Sequence, residues 1–274
     1  MQTNVQVGAK NGRSAMDEIF TSKDKNRIEV ALRFLGEARL STYRHASDGS
    51  DSSVRALYEW NLRLSAAFHE VLMLVEVAIR NVFDENLSTW NLAQSGNSRN
   101  QGRIFSRSWI EEPATPLRGM MQHAIAEAKR QAAATAGRRH GSHPTRQTPP
   151  TQDDILAQVS FGKWASLMPY DSNGQPKSVK FRLLWDEALA NGFTGAPRID
   201  KVAQDVSGRL HRLHHLRNRI AHGENILAVL PGQRLLDAFF LMKYIDPSLA
   251  EWLMALNRIR TVSRDRPISW IAVN

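Results

Sequence analysis

The sequence predicts an all-α protein, and three observations lead there. No segment sustains the period-two alternation of a half-buried strand. Glycine and proline divide the chain into pieces of helix length. Apolar residues recur at three-to-four spacing within those pieces, as one face of a helix requires. About six to eight helices are expected, with no internal repeat.

The first residues, 1–21, are polar and aperiodic and read as a tail. They lack the apolar core of a signal peptide. One domain is expected over 22–262, followed by a C-terminal tail, 263–274. A helix is expected from Ser22, with Ile28, Ala31, Leu32, Leu35 and Ala38 on one face. "HASDGSDSS" (45–53) is a loop by composition. A long helix follows from Val54 to about Trp90, carrying Leu57, Leu64, Phe68, Leu72, Val75, Ile79 and Phe83. Its apolar run from Val71 to Phe83 is interrupted by Glu76 and Arg80 and is too short to span a bilayer.

Loop insertions are expected near 94–108 and 137–152, on either side of a helix from Pro116 to Ala136. Asp153 should open another helix, with "SFGKWASLM" inside or ending it. "VKFRLLWDEALANGF" reads as a helix stopped by Gly192. A further helix runs from Ile199 to about His222, and the last from Leu235 to Ile259, broken by "DP" at 246–247.

The 274-residue chain carries a net charge of +9, which favours a polyanionic partner, nucleic acid or an anionic membrane surface. With no cysteine, it can form no disulfide, thiol nucleophile or cysteine zinc site. That composition suits a reducing, cytoplasmic location.

On a helical wheel, Ile199, Val202, Val206, Leu210, Leu213 and Ile220 gather on one side, and Arg217 falls with them. A guanidinium there needs a partner or a functional surface; alternatively its stem packs and its head reaches solvent. Glu76 is the odd charge in "VLMLVEVAIRN". It could pair locally with Arg80, four residues on, or reach across to Arg217, with Glu224 as the alternative partner. Removing one member of a buried pair would cost about 3–5 kcal/mol.

His211 and His215 have the i,i+4 spacing of a zinc pair but lack the glutamate of an HExxH motif. A solvated basic face is the expectation for His211, His214 and His215, and no metal site is assigned. His222 and Asn218 share a polar flank of the same helix. Asn218 could instead bond only to backbone near the helix end.

Arg217, Asn218 and His222 form an R-N-x-x-x-H arrangement near a helix end. It resembles the Rx4–6H motif of the HEPN superfamily of α-helical ribonucleases. "LSTYRHASDGSDSSVRALYEWNLRLSAAFHEVLMLVEVAIRN", "VSFGKWASLM", "LRNRIAHGENI" and "YIDPSLAEWLMAL" occur in the same order as in the Abi-like (abortive infection) family, which carries that fold. The resemblance covers roughly Arg39 to Ile259. One departure is His222-Gly223-Glu224-Asn225-Ile226, where the family often has H-H-E-P-I.

The resemblance implies a HEPN-like helical bundle with added helices, acting as a homodimer that cleaves RNA without a metal or other cofactor, in phage defence or as a toxin. Arg217 and His222 would be catalytic, with Asn218, Glu76 and Arg80 in support. Arg212 and Arg219 would contact RNA. The alternatives are a non-catalytic RNA-binding module associated with a small structured RNA, and a purely structural helical dimer. No membrane partner is expected.

Overall fold

The computed structural model describes residues 32–138, 148–197 and 201–267. Among them the secondary structure is helical, apart from an isolated bridge between Tyr170 and Pro176. The all-α expectation is therefore met. The start expected at Ser22, with Ile28 and Ala31, lies outside the described residues, as do Ile199 and 139–147.

The helices are α1 (Glu37–His45), α2 (Asp51–Ala93), α3 (Leu117–Gly137), α4 (Gln152–Leu156), α5 (Phe161–Ala165), α6 (Val179–Glu187), α7 (Val202–Ala221), α8 (Pro231–Ile245), α9 (Pro247–Leu256) and α10 (Ile259–Arg264). Short 3₁₀ turns occupy Ser98–Asn100 and Leu189–Gly192. Among the described residues, the last helix ends at Arg264.

The described residues divide into two compact units: 32–60 with 265–267, and those between Asn61 and Arg264. The long helix α2 gives its residues up to Trp60 to the first and the remainder to the second. In the first unit, Tyr43 on α1 is 2% exposed and meets Tyr58 edge-on at 5.2 Å. Arg44 donates to Glu37 and Asp51. At the start of α2 the Ser50 hydroxyl accepts from Ser53 N–H, satisfying one otherwise unpaired first-turn donor.

The second unit is built along α2. Leu64, Phe68, Leu72, Val75, Ile79, Phe83 and Leu87 follow one face and are fully buried. Phe83 meets Trp164 and Phe193 edge-on, and Trp164 meets Trp109 in the same way, each at 6.2 Å. Of the buried indoles, Trp164 finds no partner for its N–H among the described residues, whereas two others do. Trp109 donates to Asp84 at 2.8 Å, and Trp90 to Glu187 at 2.8 Å.

The stretch read as an insertion at 94–108 is anchored rather than loose. The fully buried Asn91 donates to Ser106 and Glu112 carbonyls and accepts from Ala114 N–H. Asn100 accepts from Thr115 N–H.

One local expectation is corrected. "SFGKWASLM" neither lies inside the helix opened near Asp153 nor ends it. Helix α4 stops at Leu156, and α5 is separate. A capping box of Thr151 and Asp154 fixes the start of α4, and the Ser160 hydroxyl accepts from Lys163 N–H to start α5 afresh.

The "DP" break at 246–247 stands as expected. Asp246 caps α9 by accepting from Ser248 N–H, and Pro247 takes the first helical position.

Candidate functional site

Helix α7 carries the candidate residues and packs between α5 on one side and α8 on the other. Its buried residues are Ala203, Val206, Ser207, Leu210, Leu213 and Leu216. Ile220, expected in this stripe, is half-buried, because the helix ends one residue later and its last turn has little core beneath it. Gly223 then takes a left-handed conformation at φ 63, which favours glycine over a residue with a β-carbon. Glu224 N–H closes the turn on the Arg219 carbonyl at 2.8 Å. The chain re-enters the core at Ile226, whose N–H donates to the buried Asn61 at 2.8 Å. Gly223 thus supplies the turn.

Arg217 lies where the wheel placed it. Its Nε is 3.7 Å from Glu76 Oε2 on α2, and the two side chains are 38% and 27% exposed. The pair is partly solvated, so its contribution lies nearer the about 0.2–1 kcal/mol of surface pairs than that of a buried one. Arg80 turns instead to the Asn81 side chain. Met73 and Val77, near Glu76 on α2, are 56% and 41% exposed.

Asn218 does not bond to backbone through its amide. Its Nδ2 lies 2.9 Å from His214 Nε2. If the amide donates, the imidazole is neutral with its proton on Nδ1. His214 is half-buried and meets Phe161 edge-on at 6.1 Å. It approaches α5 so closely that a β-carbon at Gly162 would sit 2.5 Å from Nε2. Burial pushes its pKa down, helped by the charges of His215, His211 and Arg217.

His211 is likewise half-buried. Its Nε2 lies 3.0 Å from the Tyr170 carbonyl, and burial, more than any neighbouring charge, lowers its pKa. The solvated-face expectation therefore fails for these two histidines, because α5 and the 166–178 segment cover that flank. It holds for His215, which is exposed.

His214 is the residue that reasoning from α7 alone missed. Its signals were present in its spacing, three before Arg217 and four before Asn218, and in the small Gly162 within "SFGKW".

Beside His211 the surface is cationic. Lys177 packs 3.8 Å over the Phe181 ring and donates to the Ser166 carbonyl. Burial first, then Lys163, lowers its pKa to about 8, against a small opposing effect of Asp171.

His222 is exposed and forms the C-cap of α7, with its N–H on the Asn218 carbonyl at 3.0 Å. Positions five apart on a helix diverge by about 140°, so Arg217 and His222 leave α7 in different directions. His214 lies between Arg217 and Asn218 by the same arithmetic.

Arg212 makes two hydrogen bonds to the buried Asp237, at 3.0 and 2.6 Å. Asp237 also pairs with Arg209 and Arg234. Arg219 donates to the Asn225 carbonyl and lies 3.7 Å from Glu224.

No family model, curated protein or solved structure matches this chain. Among the described residues, no group of three or more His, Asp or Glu is placed to hold a metal ion, and no helix is long and apolar enough to cross a membrane.

Proposed function

We propose that the chain is a metal-independent endoribonuclease of the Abi-like, HEPN type, acting as a homodimer on RNA in phage defence or as a toxin. The observation that carries this reading is the grouping on α7. Arg217 is oriented by Glu76, and Asn218 is held against His214. The exposed His222 stands one turn beyond Asn218.

The chemistry follows from those groups. A histidine accepts the proton of the substrate's 2′-hydroxyl. The 2′-oxygen bonds to phosphorus, and the bond from phosphorus to the 5′-oxygen breaks. A protonated histidine donates to the departing oxygen. Arginine clamps the phosphate and stabilises the charge that develops on it. The products are a 2′,3′-cyclic phosphate and a 5′-hydroxyl, and DNA is spared because it lacks the nucleophile.

The divergence of Arg217 from His222 within one helix supports a composite site. A two-fold contact supplies a second identical set. Met73 and Val77 give that contact an apolar surface beside Glu76.

Purified protein should cleave RNA in excess EDTA, leave those ends, and fail at a single 2′-deoxy position. His222→Ala should remove most of the activity and leave the helical circular-dichroism signal unchanged. Arg217→Lys should also be poor, since lysine cannot make the bidentate clamp. Cleavage abolished by EDTA and restored by a divalent ion would overturn the mechanism. Tight RNA binding by an intact wild-type protein that cuts nothing would favour the non-catalytic binding module.

A further inference from the structure

Two open cavities lie along the outer face of α7, away from the flank that carries His214. The larger, about 550 Å³, is bounded by the 172–174 turn, Lys201, Gln204, Asp205, Gly208 and Arg212. The smaller, about 310 Å³, is bounded by Arg212, His215, Arg219 and the first turn of α8, including Arg234. Arg212 borders both, so the two cavities adjoin along α7. From Lys201 to Arg219 the helix rises about 27 Å at 1.5 Å per residue.

The charge along this trough is mostly positive, although Glu224 lies 3.7 Å from Arg219 at one end. Lys201, Arg212, Arg219 and Arg234 line it, with His215 between, and Asp205 is the single carboxylate in the lining. Asp205 already pairs with Arg209 at 2.8 Å and accepts from Tyr244. Behind the wall, Asp237 receives Arg209, Arg212 and Arg234 together, so one buried negative charge anchors three cations and leaves a positive excess. That arrangement holds guanidinium groups stiffly in place, which reduces the entropy lost when they bind an anion. Gly208 has no side chain to obstruct the space beside Arg212.

A compact anion would use one such arginine. A trough of this length with charge at intervals suits a polyanion with repeating negative groups. We infer that the two cavities form one track for the phosphate backbone of single-stranded RNA, running along α7 toward the turn that bears His222. Its length suits a strand of about four nucleotides or more, at the short end of known single-strand grooves. This inference rests on the RNA reading above and adds the path by which a strand reaches the site.

The test uses fully 2′-O-methylated oligoribonucleotides of increasing length, which the proposed reaction cannot cut. Fluorescence anisotropy is followed across a salt series with wild-type protein and a Lys201→Glu, His215→Glu variant. Both positions are exposed, and melting curves check that the fold is kept. Wild-type affinity should rise with length until the trough is filled. The variant should bind the longer strands about tenfold or more weakly, with a salt slope lower by about 0.7 for each lost phosphate contact. Lys201→Gln should give a smaller loss in the same direction. Unchanged affinity and slope in a folded variant would overturn the track.

Because the probes are not cleavable, the result stands apart from catalysis. Weakened binding in a protein that cuts no native RNA would keep the track and remove the ribonuclease. Unaltered binding in a protein that cuts RNA would do the reverse.

Discussion

His214 and His211 are each packed under a neighbouring segment, and each is easier to hold neutral than charged. Their pKa values are lowered, with burial the largest cause for both. The charged neighbours divide between them. His211 faces Lys177, His215 and Asp171, whereas His214 faces His215, His211 and Arg217. A histidine whose folded pKa lies below its unfolded value of about 6.5 stabilises the fold above that pH. The contribution is lost as pH falls from there through the folded pKa. Urea unfolding followed between neutral and mildly acidic pH should therefore show stability falling on acidification, and His211→Asn with His214→Asn should flatten that slope. A wheel drawn for α7 alone placed Arg217 on the apolar side, because that requires only the helix's own phase; which carboxylate it meets, Glu76 or Glu224, took the packing of α2 to decide. The wheel could not locate the cover over His214, because α5 and the 166–178 segment are distant in sequence.

Helix α7 serves a different neighbour on each side: the α2 carboxylate at Arg217, α5 at His214, and the α8 carboxylate at Arg209 and Arg212. The third contact has a clear energetic signature. Asp237, 5% exposed in its side chain, is the shared counter-ion of three arginines. Asp237→Ala should leave those cations facing one another in a partly desolvated place and cost about 3–5 kcal/mol, measured by chemical denaturation. The boundaries of α4, α5 and α9 were written in their caps: Thr151 with Asp154, Ser160, and Asp246 before Pro247. The last was read correctly. The break before Ser160 was passed over because the apolar spacing continues through "ILAQVSF", and a capping serine is a weaker signal than a proline. Asp237 gave no sign of its importance, since a single carboxylate in "RLLDAFF" identifies no partners.

For the molecule as a whole, the all-α class followed from periodicity and from the glycine and proline punctuation, and the long apolar stripe of α2 located the core of the larger unit. Asn91, which pins the 94–116 segment, could not be foreseen, because its partners are carbonyl and N–H groups that every residue possesses. The proposed assembly belongs to this scale. Met73→Glu with Val77→Glu introduces charge onto exposed apolar positions without disturbing buried ones. Light scattering should then show a shift from dimer to monomer, with cleavage lost in parallel and little change in thermal unfolding of the protomer. A wild-type protein that is monomeric at concentrations where it cuts RNA would remove the composite site.

The space above Gly162 has a genetic consequence. The His214 ring occupies the place a β-carbon would take, and the Asn218 amide restrains that ring from swinging clear. Gly162→Ala should therefore disturb the flank with no polar group added or removed, and His214→Ala should make the alanine tolerable. The two positions should behave as a suppressor pair: one change harms folding, and the second restores a soluble, folded protein. Stability in the double variant should exceed the sum of the separate effects, as coupled neighbours do. If His214 also orients Asn218 for the reaction, activity should not return with the fold. A screen for restored expression and a screen for the proposed RNA cleavage would then select different second-site changes from the same starting defect.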